Sequence, residues 1–346
     1  MIIYFIVAII SAIFLYLYLK HKNILFVIIS FLLLFFISAF RYGIGIDYLK
    51  IYVKMFNFIA SGLSVDWDIG TIWLCKLILL FSKDYIYFFI ITAFITLFFI
   101  YKGILKWSDC PVLVLLLFVF SGEYIASFNA VRQYMAVGIF VYSIKFIIDG
   151  NFRKYLIFNV IGGFFHNSAF ILIPIYFIRY FNPKKTNQLI LIVCTIILLS
   201  VLSKLFYTVL GFTKYESYLN SSYNEYDPSY SELIMSVCVY FMSLFFYKQC
   251  KGEIKYRVLL SLMLLYMLIA ILSFKVILAY RVIIYFRILQ IFMIGYLSSK
   301  LPKKRDRLIF NAMWILFFSG VTLIGGYYFN WYDTIYKNIL VERNII

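Results

Sequence analysis

Apolar residues in this chain come in long unbroken runs, neither alternating nor recurring as stripes, and short polar breaks separate one run from the next. A run of roughly 17 to 25 apolar residues is what a helix needs to cross hydrocarbon, where each span must satisfy its own backbone hydrogen bonds. The pattern predicts spans over residues 1–19, 23–40, 85–101, 111–124, 130–148, 188–206, 232–247, 258–274, 282–299 and 308–328, about ten crossings. The fold class is all-α, a polytopic integral membrane helical bundle. With no internal repeat or low-complexity linker, residues 1–346 read as a single integral membrane domain.

One run does not fit a simple crossing. Residues 155–178 have Arg153 and Lys154 before them and Arg179, Lys184 and Lys185 after them. A single crossing would invert every later loop, and two full crossings need about 40 residues. A re-entrant hairpin bent near Gly162-Gly163 and His166 resolves the parity, with two short tilted crossings as its rival. Irregular backbone at membrane depth is tolerated only where it lines a cavity or is packed in protein.

Composition and charge sharpen this picture. At 65% hydrophobic residues, 14% charged residues and a mean hydropathy of +0.96, the chain has too much apolar surface for a water-soluble globule. Its net charge of +17 raises nucleic acid as a partner, but the cations are sorted by position. Loops at 20–22, 102–110, 149–155, 179–187, 248–257 and 300–307 hold 18 of the 32 Lys and Arg but only 4 of the 15 acids. Short cationic loops face the cytoplasm, which puts both termini outside and makes the lipid bilayer, with no nucleic acid, the partner of the charge. The run from Met1 to Leu19 lacks the cationic start and small-residue cleavage site of a signal peptide. The five cysteines lack paired spacing and read as small apolar side chains. The two histidines, His21 and His166, have no second good ligand nearby, so no metal and no cofactor is expected.

Two segments on the outer side are long enough to work. Residues 41–84 hold a glycine-punctuated turn and the run Ile72–Phe81, interrupted by Lys76 and too short to span, which predicts an interfacial helix. Residues 207–231 are rich in Tyr, Ser and Asn. The outer tyrosines can stack on sugars or simply form the interfacial aromatic belt.

Arginines at span ends carry the candidate chemistry, because an unpaired cation at membrane depth survives mainly beside water or an anion. Arg41 ends the second span, Arg132 opens the fifth, and Arg281 and Arg287 stand near the start of the ninth. Guanidinium forks suit phosphate oxygens, and a diphosphate at the outer leaflet would explain all four; snorkelling to headgroups is the plainer account. Asn129, Arg132 and Gln133 stand at i, i+3 and i+4, predicting one polar helix face. His166, followed by Asn167 and Ser168, is a proton carrier or a packing histidine. Asp47, Glu123 and Asp68 are rival bases, Asp47 favoured through its neighbour Arg41.

Several of these residues together resemble the EpsG family of exopolysaccharide and capsule assembly, related in role to Wzy-type O-antigen polymerases. The resemblance rests on Arg41-Tyr-Gly-Ile-Gly-Ile-Asp47-Tyr48, Asp68-Ile-Gly70 where the family usually carries Glu, Asn129-Ala-Val-Arg132-Gln133, Phe165-His166-Asn-Ser168 followed by Pro174, and Arg281 to Phe286. It implies a GT-C-like glycosyltransferase that joins oligosaccharide repeat units carried on undecaprenyl pyrophosphate at the outer face of the bacterial cytoplasmic membrane, with a chain-length regulator or export complex as partner. In that chemistry Arg132 and Arg281 would hold phosphate and His166 or Asp47 would be the base. Arg41, Tyr48, Asn129, Gln133, Tyr285 and Arg287 would line the substrate. A lipid-linked oligosaccharide flippase and a membrane O-acyltransferase are the competing functions.

Overall fold

A computed structural model describes residues 1–184, 187, 188, 190, 230–274, 279–328 and 338. The predicted span 188–206 beyond residue 190, Cys194 and the tyrosine-rich segment up to Ser229 lie outside the described residues. The chain divides into two compact units, residues 1–173 with 298–346, and residues 174–297.

The first unit is built from helices whose ends are written in local sequence. It begins with α1 (Ile2–His21) and α2 (Ile24–Ala39). The side-chain oxygen of Asn23 accepts from the Leu25 amide at 3.0 Å, capping α2. A π-helical turn, Tyr48–Val53, leads into α3 (Lys54–Ala60), followed by α4 (Ile69–Leu79) and α5 (Ile86–Trp107). Pro111, free of the amide a first turn cannot use, opens α6 (Pro111–Phe120). Then come α7 (Glu123–Asn129), α8 (Val131–Asp149) and α9 (Phe152–Phe165). Gly150, at φ +79°, ends α8, and Asn151 at once caps α9 through the Lys154 amide at 3.0 Å. A 3-10 helix, Asn167–Tyr180, leaves this unit, and α14 (Lys304–Tyr328) returns to it; α10 (Tyr230–Phe245), α11 (Tyr247–Cys250), α12 (Ile254–Leu272) and α13 (Ala279–Lys300) make up most of the described residues of the second unit.

Every predicted span inside the described residues is helical. Among the described residues six helices are long and apolar enough to cross a membrane, seven if α6 and α7, bent by 52° at Ser121-Gly122, count as one broken span. In the first unit α1 pairs with α2, α2 with α5, α5 with α8 and α8 with α9, while α6 packs on α1 and α14. The α1–α2–α5 contact closes on a ring of hydroxyls, with Ser11 2.9 Å from Ser30 and Tyr101 3.0 and 3.1 Å from them. In apolar surroundings such bonds hold helices that have no hydrophobic force pressing them together. The outward faces of α1 and α14 are apolar and exposed, the surface lipid would cover.

The awkward run 155–178 folds back on itself. Helix α9 ends at Phe165, His166 is extended (φ −154°, ψ 115°), and the 3-10 segment returns beside the helix. Tyr155 on the first turn of α9 donates to Leu172 O at 2.5 Å, and a Cβ on Gly163 would meet the Phe170 ring at 2.5 Å. The bend is at His166 and not at Gly162-Gly163. The two glycines stay helical and make room for the returning limb.

The cationic loops 20–22, 102–110, 149–155 and 300–307 close one end of the first unit, and residues 41–85, the 121–130 break and His166 belong to the other by chain alternation. Cysteines introduced in a cysteine-free background at Ser61 and Lys303, both exposed, should therefore label from opposite faces. A membrane-impermeant maleimide applied to intact cells is expected to reach Ser61→Cys and to reach Lys303→Cys only after permeabilisation.

Candidate functional site

Helix α7 stops at Asn129 and α8 starts at Val131, with Ala130 (φ −91°, ψ 51°) breaking the helix between them. The break leaves a carbonyl and an amide without their helical partners, and one side chain serves both. The Tyr52 hydroxyl donates to Asn129 O at 2.7 Å and accepts from the Val131 amide at 3.0 Å. Burial pushes this hydroxyl up to about 12, so it remains a donor at neutral pH. The Asn129 side-chain oxygen in turn accepts the Asp47 amide at 3.1 Å. Gly45, at φ +102°, lets the turn at 41–48 approach, since a Cβ there would lie 3.2 Å from Phe128 O.

Arg41 completes this clasp from beneath. It is 2% exposed, donates to Ser38 O, and gives a second bond to Phe128 O at 3.2 Å. Its guanidinium lies over Phe128 and Phe89 at 4.8 and 4.9 Å from their centroids and over Tyr48 at 5.8 Å. A cation at the last carbonyls of a helix also complements the negative end of its dipole.

Just past the break, Arg132 points its Nη1 at Asp68 Oδ2, 2.7 Å away, with its guanidinium 5.1 Å from the Trp67 ring. The other oxygen of Asp68 accepts the Asn167 amide at 3.0 Å, so one carboxylate ties α8 to the hairpin tip. Helix α4 begins directly after Asp68 and meets the end of α9 head to tail. Thr71 donates to Phe165 O at 3.2 Å, and a Cβ on Gly70 would meet Phe164 O at 2.7 Å. At the tip, His166 Nδ1 and the Ser168 hydroxyl are 2.7 Å apart. Asp47, half-buried, takes no side-chain hydrogen bond among the described residues; burial pushes its carboxyl above the usual carboxylate range, with Arg132 and Lys50 pulling it partly back.

The structure thus brings Asp47, Asn129, Arg132 and His166 to three breaks in helical backbone at one end of the first unit. Other expectations change. Asn129, Arg132 and Gln133 do not share a face, because the helix breaks at Ala130 and Gln133 is buried. The charge beside Asp47 is Arg132, not Arg41. Arg41 and Tyr48 are both buried, Tyr48 stacked on Phe89 at 4.2 Å, so neither offers itself to a ligand. Glu123 is buried and accepts the Tyr134 hydroxyl at 2.6 Å. Arg281, Tyr285 and Arg287 belong to the second unit. There Tyr285 is buried, and Arg287 is paired at 2.7 Å with Glu232, which also accepts the Tyr266 hydroxyl at 2.7 Å.

A family model described as the EpsG family matches residues 24–338, from α2 past the end of α14. The chain belongs to the EpsG family. No curated protein and no solved structure matches it. For this EpsG-family chain, the residues that sequence reasoning left out are Tyr52, Trp67 and the Asn167 amide. The sequence marks Asp68 as a rival base and as part of the Asp68-Ile-Gly70 segment, but nothing local marks it as the partner of a residue 64 positions later.

Replacing Tyr52 by Phe should orphan two buried backbone groups, each worth about 1–3 kcal/mol. Thermal unfolding in detergent is expected to fall by several degrees, while Tyr42→Phe, half-buried on the same segment, leaves it unchanged.

Proposed function

We propose that this EpsG-family protein is a polysaccharide polymerase. It would join oligosaccharide repeat units carried on undecaprenyl pyrophosphate, at the outer face of the cytoplasmic membrane. The observation that carries the proposal is the gathering of a partly exposed arginine, a carboxylate of raised proton affinity and a histidine at backbone breaks opposite the cationic loops. Polar groups at helix breaks within an apolar bundle survive where they face a water-filled or ligand-filled space.

The chemistry follows from these groups. A hydroxyl of the acceptor sugar attacks C1 of the donor, the bond from C1 to the diphosphate oxygen breaks, and its electron pair leaves with the lipid diphosphate. Arg132 stabilises that growing negative charge, the task for which preformed cationic donors are most effective. The attacking hydroxyl loses its proton to Asp47, whose raised affinity makes it a better base than an ordinary aspartate. His166, oriented by Ser168, holds a sugar hydroxyl at the hairpin tip.

The test is purified protein in nanodiscs supplied with a lipid-diphosphate-linked repeat unit, read as a ladder of products. Arg132→Ala should reduce the rate by about 100-fold or more and Asp47→Asn by about 100- to 10,000-fold, both at unchanged protein level. Because the base must be deprotonated, the wild-type rate should rise with pH through a value above the usual aspartate range and lose that step in Asp47→Asn. Retention of activity in Asp47→Asn with its loss in His166→Gln moves the base to His166. Consumption of the unit without longer products favours the acyltransferase reading, and movement without consumption favours the flippase.

A further inference from the structure

Asp68 fills a place that has the donors of an anion site. Its two oxygens are not bonded to one neighbour but divided between two donors from different elements: Arg132 Nη1 of α8 at 2.7 Å and the Asn167 amide at the hairpin tip at 3.0 Å. A guanidinium and a backbone amide held a carboxylate's width apart are the donors a phosphate group takes. The pair is guarded by the Trp67 ring, and Arg132 keeps a further donor, its buried Nε, without a hydrogen-bond partner. The Asp68 side chain is 9% exposed and that of Arg132 22%, so the pair is sheltered from salt without being sealed.

We infer that Asp68 is a resident anion, occupying the diphosphate site of the empty protein, and that a diphosphate binds by taking over both of its donors. The inference rests on the polymerase reading for the identity of the natural ligand but not for the site itself. Asp68 lies on the residue before α4, whose first turn is bound to the end of α9 by Thr71 and by the close approach at Gly70. Its backbone is therefore fixed, and exchange requires only a rotation of a short side chain. The same arrangement sets a threshold for ligands. Displacing a paired carboxylate demands an anion with more charge and more acceptors than the carboxylate itself, which favours a diphosphate over the single diester phosphate of an ordinary phospholipid.

This account and a purely structural clamp predict opposite signs for one substitution. Binding is measured in nanodiscs with three probes: inorganic pyrophosphate, farnesyl diphosphate and phosphatidylglycerol. Asp68→Asn, nearly isosteric but unable to neutralise Arg132, should bind inorganic pyrophosphate at least fivefold more tightly than the wild type. Arg132→Gln should bind it at least tenfold more weakly, and the double variant should match Arg132→Gln alone. Asp68→Ser, which keeps an acceptor for the Asn167 amide, provides the same comparison in a second background. Weaker pyrophosphate binding in both Asp68 variants, or equal competition by phosphatidylglycerol, overturns the inference. Farnesyl diphosphate binding more tightly than inorganic pyrophosphate assigns the natural ligand to a lipid diphosphate; the reverse assigns it to the free anion. The wild type gives a test independent of folding in the variants. A structure with pyrophosphate bound should have Asp68 turned away from Arg132 and phosphate oxygens on Arg132 and the Asn167 amide, and an intact Asp68–Arg132 pair beside bound pyrophosphate refutes it. All these readouts are binding and geometry, so they stand or fall separately from the appearance of a product ladder.

Discussion

Interrupting a helix inside an apolar bundle frees amides and carbonyls that lipid cannot solvate, each costing several kcal/mol unless a partner is supplied. This protein interrupts its helices at Ala130 and His166 and starts two more helical segments after Asp47 and Asp68, all in the same region. The partners come from across the breaks. Tyr52 serves both sides of the 129–131 gap, Arg41 takes Phe128 O, Asn129 takes the Asp47 amide, Thr71 takes Phe165 O and Asp68 takes the Asn167 amide. Because the breaks at Ala130 and His166 and the start after Asp47 are each completed by residues from another of these segments, they depend on one another. The side chains of the candidate site inherit their positions from this mutual completion.

The charges obey a related constraint. A buried cation costs more than it returns unless its donors are met, and Arg41 and Arg132 place theirs differently. Arg41 gives Nη1 and Nη2 to carbonyls and lies over ring faces, with no carboxylate paired to it among the described residues. Arg132 gives Nη1 to a single carboxylate on a neighbouring loop and stays partly open. Two residues of the same type, both at span ends, thus have opposite availability, and the difference lies in the tertiary surroundings.

That difference also marks what the amino-acid sequence can convey. Long apolar runs gave the described spans, because length and hydropathy alone decide whether a helix can stay in hydrocarbon. The cationic flanks of 155–178 required a return, and the chain does return. Local cues misled where the backbone departs from a regular helix. The spacing of Asn129, Arg132 and Gln133 suggested one face only on the assumption of an unbroken helix, and the Gly162-Gly163 pair suggested a bend where it instead provides space. Neither the buried state of Arg41 nor the pairing of Arg132 with Asp68 has a local signature, since both depend on which distant segments arrive at the same place.

The hairpin's reach has a consequence for the surrounding bilayer. The 14 residues of α9 rise about 21 Å and the 16 of α2 about 24 Å, each less than the roughly 30 Å of a hydrocarbon layer. A crossing as short as α2 draws the bilayer thinner around it, and a hairpin limb as short as α9 leaves its tip within the layer. Such a dimple lowers the headgroups toward the plane of His166.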